Sequence, residues 1–402
     1  MRVVFLSPTY PPEMRQFTRG LAEVGCEVLG VGDGHPDGEL RRYLADYLQV
    51  PSIMDEDDVI ARVHAWLRGR TVDRVLANWE VLVETAARLR EQFGLPGMSV
   101  DTVRGFRDKQ LMKERCAAAG VRVPRSVRAR TDAEVRAAAE RFGYPMIVKP
   151  IAGAGSADTH RVADEQELER VLKQMLHVGE ASCEEFIEGE EITHDTVCVG
   201  GVPRFQNVCQ YLPKPLVART NEWISPVIVT ARDLGERRLA DGLTLGRGVL
   251  DALKMGDGFT HMEWFRKPDG EVVFGEIGCR PGGAHLVDQM NYTCDIDLFR
   301  EWARVVCWGR FEAKAVRKYN AAIIFKRARG QGRITRIDGL REFMRQYGQY
   351  VVEERLLPVG SLRRNWKHTL VSDGYILLRH PDWDAACKLA SIVSTDITMY
   401  AE

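Results

Sequence analysis

The feature that most constrains the fold is a regular alternation of strand-length apolar runs with helical spacing over residues 1–105. The chain starts with an apolar run of strand length, RVVFLSP, and continues with helical spacing and a final glycine in PEMRQFTRGLAEVG. Two further strands are predicted in CEVLGVGD and DRVLANWE, and another helix in VLVETAARLREQFG. Alternation of this kind is typical of a parallel sheet with crossover helices, so we expect an α/β fold.

Length and composition exclude several classes of protein. The 402 residues suit two or three domains, and the net charge of −1 gives no overall attraction to nucleic acid or membrane. The chain has no apolar run of 18 residues, and its start lacks the long apolar core of a signal peptide. The nine cysteines are scattered without a CxxC pair, which argues against a disulfide framework or a zinc knuckle. We therefore expect a cytoplasmic protein with no nucleic-acid or membrane partner.

A glycine-rich loop follows a predicted strand in MIVKPIAGAGSAD. The strand delivers Lys149, and Gly153, Gly155 and Ser156 follow in the loop. Glycines let backbone N–H groups approach phosphate oxygens closely, and the lysine adds a positive charge. The loop is not a Walker loop, because no GK[ST] follows. A lysine before a glycine-rich turn does not by itself identify a nucleotide site.

A later strand, ASCEEFIEGEE, carries four carboxylates. They are either solvated charges at a sheet edge or part of a nucleotide site. In the second interpretation, the backbone of Glu185 and Ile187 binds the edge of an adenine. Glu191, a few residues further on, would accept hydrogen bonds from ribose hydroxyls.

Two strands, FTHMEWFRK and EVVFGEIGC, flank the turn Pro268–Gly270 and predict a hairpin. Each carries one glutamate, Glu263 or Glu276, among apolar neighbours, and a buried glutamate is costly unless it is paired or binds metal. Two such carboxylates on neighbouring strands predict a site for a hard cation. Arg280 follows at i+4 from Glu276, either as its surface ion-pair partner or as a contact of a phosphoryl group.

Five motifs in this order resemble the ATP-grasp superfamily, and within it the carboxylate–amine ligase branch: DKQLMKERCAAAGVRVP, YPMIVKPIAGAGS, CEEFIEGEE, HMEWF and FGEIGCRPGG. The resemblance covers residues 1–320. It implies a Rossmann-like domain preceding the ATP-grasp core over 1–105 and the core itself over 106–320, with a lid subdomain at about 121–190. Residues 321–402 are expected to form a C-terminal α+β lobe.

The resemblance also implies an ATP site. Lys109 and Lys149 would contact the phosphates, Glu191 the ribose, and Phe265 the adenine ring. The complete set of nucleotide-binding residues that it implies is Lys109, Lys149, Gly153, Gly155, Ser156, Glu184, Glu185, Ile187, Glu191 and Phe265.

In the same resemblance, Glu263 and Glu276 hold one or two Mg²⁺ ions, with Mn²⁺ as an alternative, and Arg280 stabilises the transferring phosphoryl group. One position departs from the family pattern. Many members read Glu-x-Asn-x-Arg, in which the asparagine is a further metal ligand, whereas this chain has Gly278 there. Either one ion loses a ligand to water, or a second metal is bound more weakly.

The activity implied is an ATP-dependent ligation of a small-molecule carboxylate to an amine, through an acyl phosphate, with release of ADP and phosphate. Substrate contacts are expected from Arg219, Arg280 and His285. The basic run over 314–345 is either a solvated face or a site for an anionic substrate. A homodimer is left open.

Three other functions share the predicted nucleotide site. A carboxylase would consume bicarbonate, and an acyl-thioester-forming ligase would use a thiol in place of the amine. A non-catalytic ATP-binding module is the third, and Gly278 is the feature that favours it. No aromatic-interleaved motif accompanies the basic run, so nucleic-acid binding is not expected.

Overall fold

The computed structural model of the protein describes residues 1–152, 158–369 and 371–402 and begins with a four-stranded parallel sheet. Its elements are β1 Arg2–Leu6, α1 Met14–Glu23, β2 Glu27–Gly32, α2 Gly38–Arg41, β3 Asp46–Gln49, α3 Glu56–Trp66, β4 Arg74–Leu76 and α4 Val83–Phe93. The strand order is β3-β2-β1-β4, with every neighbouring pair parallel. The α/β organisation predicted from the alternation is confirmed.

A small antiparallel sheet follows, within the residues that were predicted to form a lid. The elements here are α5 Val100–Arg107, α6 Lys109–Ala118, β5 Ser126–Ala129, α7 Asp132–Phe142, β6 Met146–Pro150, β7 His160–Val162, α8 Glu165–Gln174 and β8 Ala181–Glu185. The strand order is β5-β8-β6-β7. Helix α7 begins with a capping box, in which the Thr131 and Glu134 side chains accept each other's backbone N–H groups at 3.3 and 3.1 Å.

The middle of the chain contains the predicted hairpin. Its elements are β9 Glu190–Val199, β10 Val202–Leu212, α9 Pro215–Thr220, β11 Val227–Thr230, α10 Arg237–Ala252, β12 Gly258–Arg266, β13 Val272–Gly278, α11 Leu286–Cys294 and α12 Leu298–Trp308. Strands β12 and β13 pair antiparallel and set Glu263 directly opposite Glu276. Met262 and Trp264 point to the core, so the glutamates lie on the opposite face of the strands.

The C-terminal part extends the same sheet. Its elements are β14 Asn320–Phe325, β15 Arg329–Gly330, β16 Ile334–Asp338, α13 Leu340–Tyr347, β17 Val351–Glu354, β18 Tyr375–His380, α14 Trp383–Asp396 and β19 Thr398–Ala401. The central sheet has eight strands in the order β13-β12-β9-β10-β11-β14-β18-β17, so it continues across residue 320. The domain boundaries remain a prediction. No helix in the described ranges is long and apolar enough to cross a membrane.

Aromatic packing fixes the parallel sheet against the rest of the molecule. Phe17 on α1 contacts Phe299 and Trp302 on α12, with ring centroids 4.9 and 5.0 Å apart. Gly20 permits this close approach, because a Cβ atom there would lie 2.5 Å from the Phe299 carbonyl oxygen. The segment after β4 is thereby held beside the end of β13.

Candidate active site

Two adjoining cavities lie between the sheets, and the smaller one, of about 390 Å³, collects most of the predicted nucleotide-binding residues. Its lining includes Lys109, Lys149, Glu184, Glu185, Ile187, Glu191, Glu263, Phe265 and Glu276. Gly153, Gly155 and Ser156 lie outside the described residues, so their predicted role in phosphate binding stays a prediction. Residues from five separate motifs therefore converge on one cavity, as a nucleotide site requires.

Buried lysines and glutamates form a continuous ion-pair network at the floor of this cavity. Lys149 Nζ lies 3.3 Å from Glu184 Oε2 and 3.1 Å from Glu276 Oε2, and Lys109 Nζ lies 3.8 Å from Glu276 Oε2. Lys113 forms a further ion pair with Glu184, and both side chains are almost fully buried. Lys113 was given no role from the sequence. Its spacing of four residues from Lys109 on α6 puts the two lysines on one helix face, which is the signal that could have identified it.

The network shifts the titration of its members. Burial alone would raise the pKa of the Glu184 carboxyl, but Lys113 and Lys149 together lower it to about 2. Burial lowers the pKa of Lys113 to about 8, although Glu184 opposes that shift. Glu184 is therefore expected to be ionised at neutral pH, and its carboxylate forms ion pairs with both Lys113 and Lys149. Of the residues predicted for the adenine contact, Glu185 and Ile187 also line the cavity.

Three carboxyl groups crowd the other side of the cavity. Glu263 faces Glu276 across the hairpin, and Glu191 on β9 lies one strand away, at the level of Phe265. Burial raises the pKa of Glu191 to about 8, and the charges of Glu263 and Glu276 add to the shift. Burial and the neighbouring Glu276 likewise raise the pKa of Glu263. The raised pKa values favour protonation of Glu191 and Glu263 in the absence of a cation, and a bound cation would oppose that shift.

This donor set fits a hard divalent cation. Within the described ranges, no group of three or more His, Cys, Asp or Glu side chains is arranged to hold a metal ion. A pair of carboxylates suits Mg²⁺, which takes one or two carboxylates and fills its other positions with phosphate oxygens and water. Glu263 and Glu276 are the residues that would hold it.

Arg280 has a different partner from the one that its i+4 spacing suggested. Its Nε donates to Glu80 Oε2 at 2.6 Å, and its Nη1 donates to the Pro281 carbonyl at 2.7 Å. Arg107 Nη1 donates to the other oxygen of Glu80 at 2.7 Å. Burial would raise the pKa of the Glu80 carboxyl, but Arg280 and Arg107 lower it. The interpretation of Glu276 and Arg280 as a surface ion pair is therefore wrong.

Glu80 accounts for the glycine at position 278. A Cβ atom there would lie 2.9 Å from Glu80 Oε2 and 3.5 Å from Arg280 Nε. Any larger side chain at 278 therefore competes with the carboxylate that holds Arg280. Glu80 follows β4, 200 residues before Arg280 in the chain. The only signal in the sequence is a carboxylate within the apolar stretch NWEVL.

We expect Gly278→Ala to lower kcat for ADP formation by roughly tenfold to a hundredfold, because small displacements of catalytic groups have effects of this size. The added methyl group would push the Glu80 carboxylate, and Arg280 with it, away from their present positions. Since Gly278 does not line the smaller cavity, the affinity for ATP should stay unchanged. Steady-state kinetics and calorimetry would separate the two effects.

The matched control is Gly179→Ala, because a Cβ atom at Gly179 meets nothing within 4 Å. This control should keep both the wild-type kcat and the wild-type affinity for ATP. A wild-type kcat in Gly278→Ala would contradict a positioning role of Glu80.

The larger cavity, of about 980 Å³, extends from Arg280 to the C-terminal lobe. His285, predicted as a substrate contact, lines it, as does Arg280. The side chain of Arg219 lies outside the described part of the chain, although its backbone belongs to α9, so its predicted role stays a prediction.

His285 occupies a strained stretch of backbone. Ala284 and His285 both have positive φ values, 55° and 61°, in the left-handed region that non-glycine residues rarely adopt. The backbone N–H of His285 donates to Glu13 Oε1 at 3.3 Å, and its Nδ1 lies 2.9 Å from Asp288 Oδ2. Contacts from two separate segments thus fix the imidazole at the cavity wall.

A second Asp–His pair was missed from the sequence. Asp195 is fully buried on β9, and its Oδ1 lies 2.6 Å from His261 Nδ1 on β12. His261 also lines the larger cavity, and its Nε2 lies 3.8 Å from Glu263 Oε1. The pairing depends on strand register, which single residues in the sequence do not reveal.

Comparison with known proteins gives a family match over part of the chain and two solved structures with the same fold. Residues 108–188 match the family model described as the ATP-binding domain of the carbamoyl-phosphate synthase L chain. The solved structure of L-amino acid ligase from Bacillus licheniformis superposes with a TM-score of 0.81 at 19% identity, over 100% of this chain and 98% of that one. Phosphoribosylglycinamide synthetase from Anaerococcus prevotii superposes with a TM-score of 0.71 at 15% identity, over 100% of this chain and 99% of that one. The chain therefore has the fold of these two enzymes, and over residues 108–188 the family match agrees with the ATP-grasp resemblance of its motifs.

Two curated relatives have names that state a particular ligase activity. One is the L-arginine-specific L-amino acid ligase of Bacillus subtilis, 27% identical over 56% of this chain and 56% of that protein. The other is the alanine–anticapsin ligase of Bacillus subtilis strain 168, 22% identical over 68% of this chain and 64% of that protein. The chain therefore spans less than two thirds of the length of either relative.

Proposed function

We propose that the protein is an ATP-dependent carboxylate–amine ligase that forms an amide bond through an acyl phosphate. The observation that carries this proposal is that the two cavities share Lys109, Glu263 and Glu276 in their linings. A nucleotide in the smaller cavity would present its terminal phosphate at that boundary, and a substrate in the larger cavity would meet it there. The names of both curated relatives, which are amino acid ligases, support the same activity.

In the first step, a carboxylate oxygen of the substrate attacks the γ-phosphorus of ATP. The bond from that phosphorus to the bridging oxygen breaks, and ADP leaves with the electron pair. Arg280 lines the larger cavity and interacts electrostatically with Glu263 and Glu276 at the boundary, so its guanidinium can neutralise the charge of the transferring group. Mg²⁺, held by Glu263 and Glu276, would supply further neutralisation of phosphate oxygens.

In the second step, the amine nitrogen of the other substrate attacks the carbonyl carbon of the acyl phosphate. The carbon–oxygen bond to phosphate breaks, inorganic phosphate leaves, and the nitrogen loses its extra proton to yield the amide. Catalysis of this kind rests on positioning and on exclusion of water, because acyl phosphates hydrolyse.

A phosphate-release screen over pairs of carboxylates and amines tests this proposal. The expected result is release of ADP and phosphate only when both substrates are present, with a condensation product of the matching mass. Release with bicarbonate alone would indicate a carboxylase instead, and a thioester product would indicate a thiol-using ligase. A protein that binds ATP but turns over no pair would be the non-catalytic module.

A further inference from the structure

One wall of the larger cavity is strongly basic. We call it the C-terminal wall, defined by the cavity-lining residues after position 320. Its basic side chains are Arg327, Arg355, Arg364, Lys367 and His368. Among the described residues, no aspartate or glutamate after position 320 lines this cavity. The wall therefore presents positive charge to the cavity, and all five residues except Arg327 are also exposed to solvent.

The cations of this wall are brought together by shared contacts. The Arg327 guanidinium lies over the Trp366 ring at 4.7 Å, and Lys367 Nζ lies 5.7 Å from the same ring. Arg327 Nε donates to Ser372 Oγ at 3.3 Å, and Arg364 Nη1 donates to the Ser372 carbonyl at 3.0 Å. Three positive groups from two chain segments thus converge on one aromatic ring and one serine.

The loop that carries these cations is fixed to the central sheet. Asp373 is fully buried, and it accepts the backbone N–H groups of Ala328 at 2.8 Å and Arg364 at 2.7 Å. Ser372 has a φ of 49°, a left-handed conformation that a serine adopts only where its surroundings enforce it. The backbone of this loop is therefore held in place before a ligand binds, which reduces the entropy lost on binding.

Two cations of the wall, Arg364 and Lys367, present their charges to the cavity. In the described ranges, neither Arg364 nor Lys367 forms an ion pair with a carboxylate. Arg355 lies 3.9 Å from Glu353, whose oxygens also accept from the hydroxyl groups of Tyr292 and Tyr375. Arg364 and Lys367, which line the cavity and form no ion pair with a carboxylate in the described ranges, favour an anionic ligand beside them.

The basic run over 314–345 does not form this wall. Of that run, only Arg327 lines the cavity in the described structure. Lys326 donates instead to the carbonyls of Val393 and Ser394, and Lys318 pairs with Asp295 at 2.8 Å. The basic residues that line the cavity come mainly from 355–368, so the candidate anion site lies there and not in the run over 314–345.

We propose that the C-terminal wall binds an anionic group, carboxylate or phosphate, that one substrate carries in addition to the carboxylate that is activated. The protein would then act on an acidic substrate. This inference rests on the proposed ligase function and adds a substrate class to it. Carboxylate and phosphate share the chemistry that arginine and lysine recognise, so the substrate panel must distinguish the two.

The test uses matched pairs that differ in one anionic group: aspartate and asparagine, glutamate and glutamine, and O-phosphoserine and serine. Each compound is offered both as carboxylate donor and as amine. We expect the charged member of at least one pair to have a kcat/KM at least about tenfold higher. The double variant Arg364→Gln/Lys367→Gln should abolish that preference and leave the KM for ATP unchanged.

The matched control is Arg345→Gln, because Arg345 is exposed and pairs with Glu342, outside the cavity. This variant should keep the preference of the wild type. Equal use of charged and neutral members by the wild type, or an unchanged preference in the double variant, would overturn the proposal.

A binding measurement keeps this proposal separate from the proposed catalysis. Thermal unfolding of the wild type would be followed with succinate, glutamate or inorganic phosphate, in the absence of ATP. If a ligand raises the Tm of the wild type but not that of the double variant, the result supports anion binding by the C-terminal wall. This conclusion holds even if no substrate pair releases ADP. Stabilisation by phosphate alone indicates a phosphorylated substrate, and stabilisation by the dicarboxylates alone indicates a dicarboxylic one. No stabilisation by any of them, without a charge preference in turnover, would refute it.

Discussion

Glu276→Gln is expected to lower ADP formation by at least about a thousandfold while the fold stays intact, because it removes the charge of a carboxylate that would hold the metal at the transferring phosphate. Glutamine keeps the size of the side chain. Lys149 retains Glu184 as a partner at 3.3 Å, so the buried lysine is not left without a counter-charge. Coupled ADP release, with circular dichroism for the fold, measures both effects.

The control for this variant is Glu271→Gln on the same hairpin. Glu271 is exposed and pairs with Arg122 at 3.0 Å and Lys267 at 2.6 Å, away from the cavity. It should keep wild-type turnover. If Glu276→Gln turned over normally at saturating Mg²⁺, Glu276 would not be a metal ligand.

Lys149→Ala is expected to weaken ATP binding by roughly a hundredfold, since truncating one member of a buried charged pair costs about 2–5 kcal/mol. The structure gives two reasons for an effect of this size. Lys149 lines the nucleotide cavity, and it also separates the carboxylates of Glu184 and Glu276, which would otherwise repel each other. Calorimetric titration with a non-hydrolysable ATP analogue measures the change.

Lys173→Ala provides the comparison, because Lys173 is exposed on α8 of the same subdomain and does not line the nucleotide cavity. Its affinity for the nucleotide should equal that of the wild type. Near-normal binding by Lys149→Ala would refute the assignment of Lys149 to the phosphates.

Patterns local in the sequence predicted much of this fold. The strand–helix alternation indicated the parallel sheet, and the Pro268–Gly270 turn indicated the hairpin that sets Glu263 opposite Glu276. Both depend on residues close together in the chain, so single-segment periodicity was sufficient. The motif order likewise predicted which residues would line one cavity.

Contacts between distant segments were not predictable in the same way. Glu80 and Arg280 meet only because α1 packs on α12 and brings two sheets together. The wall formed by Arg327 and Arg364 depends on how an irregular loop is fixed by Asp373. Such pairings arise from tertiary packing, for which a single sequence carries no periodic signal.

The contact of Gly278 with Glu80 has an evolutionary consequence. A side chain at 278 would displace the carboxylate from its present position, and loss of that carboxylate would leave two partly buried guanidinium groups, Arg280 and Arg107, without this counter-charge. The effect of a substitution at 278 should therefore depend on the residue at position 80. We expect epistasis between the two positions, measured as non-additive effects on activity in the double variant.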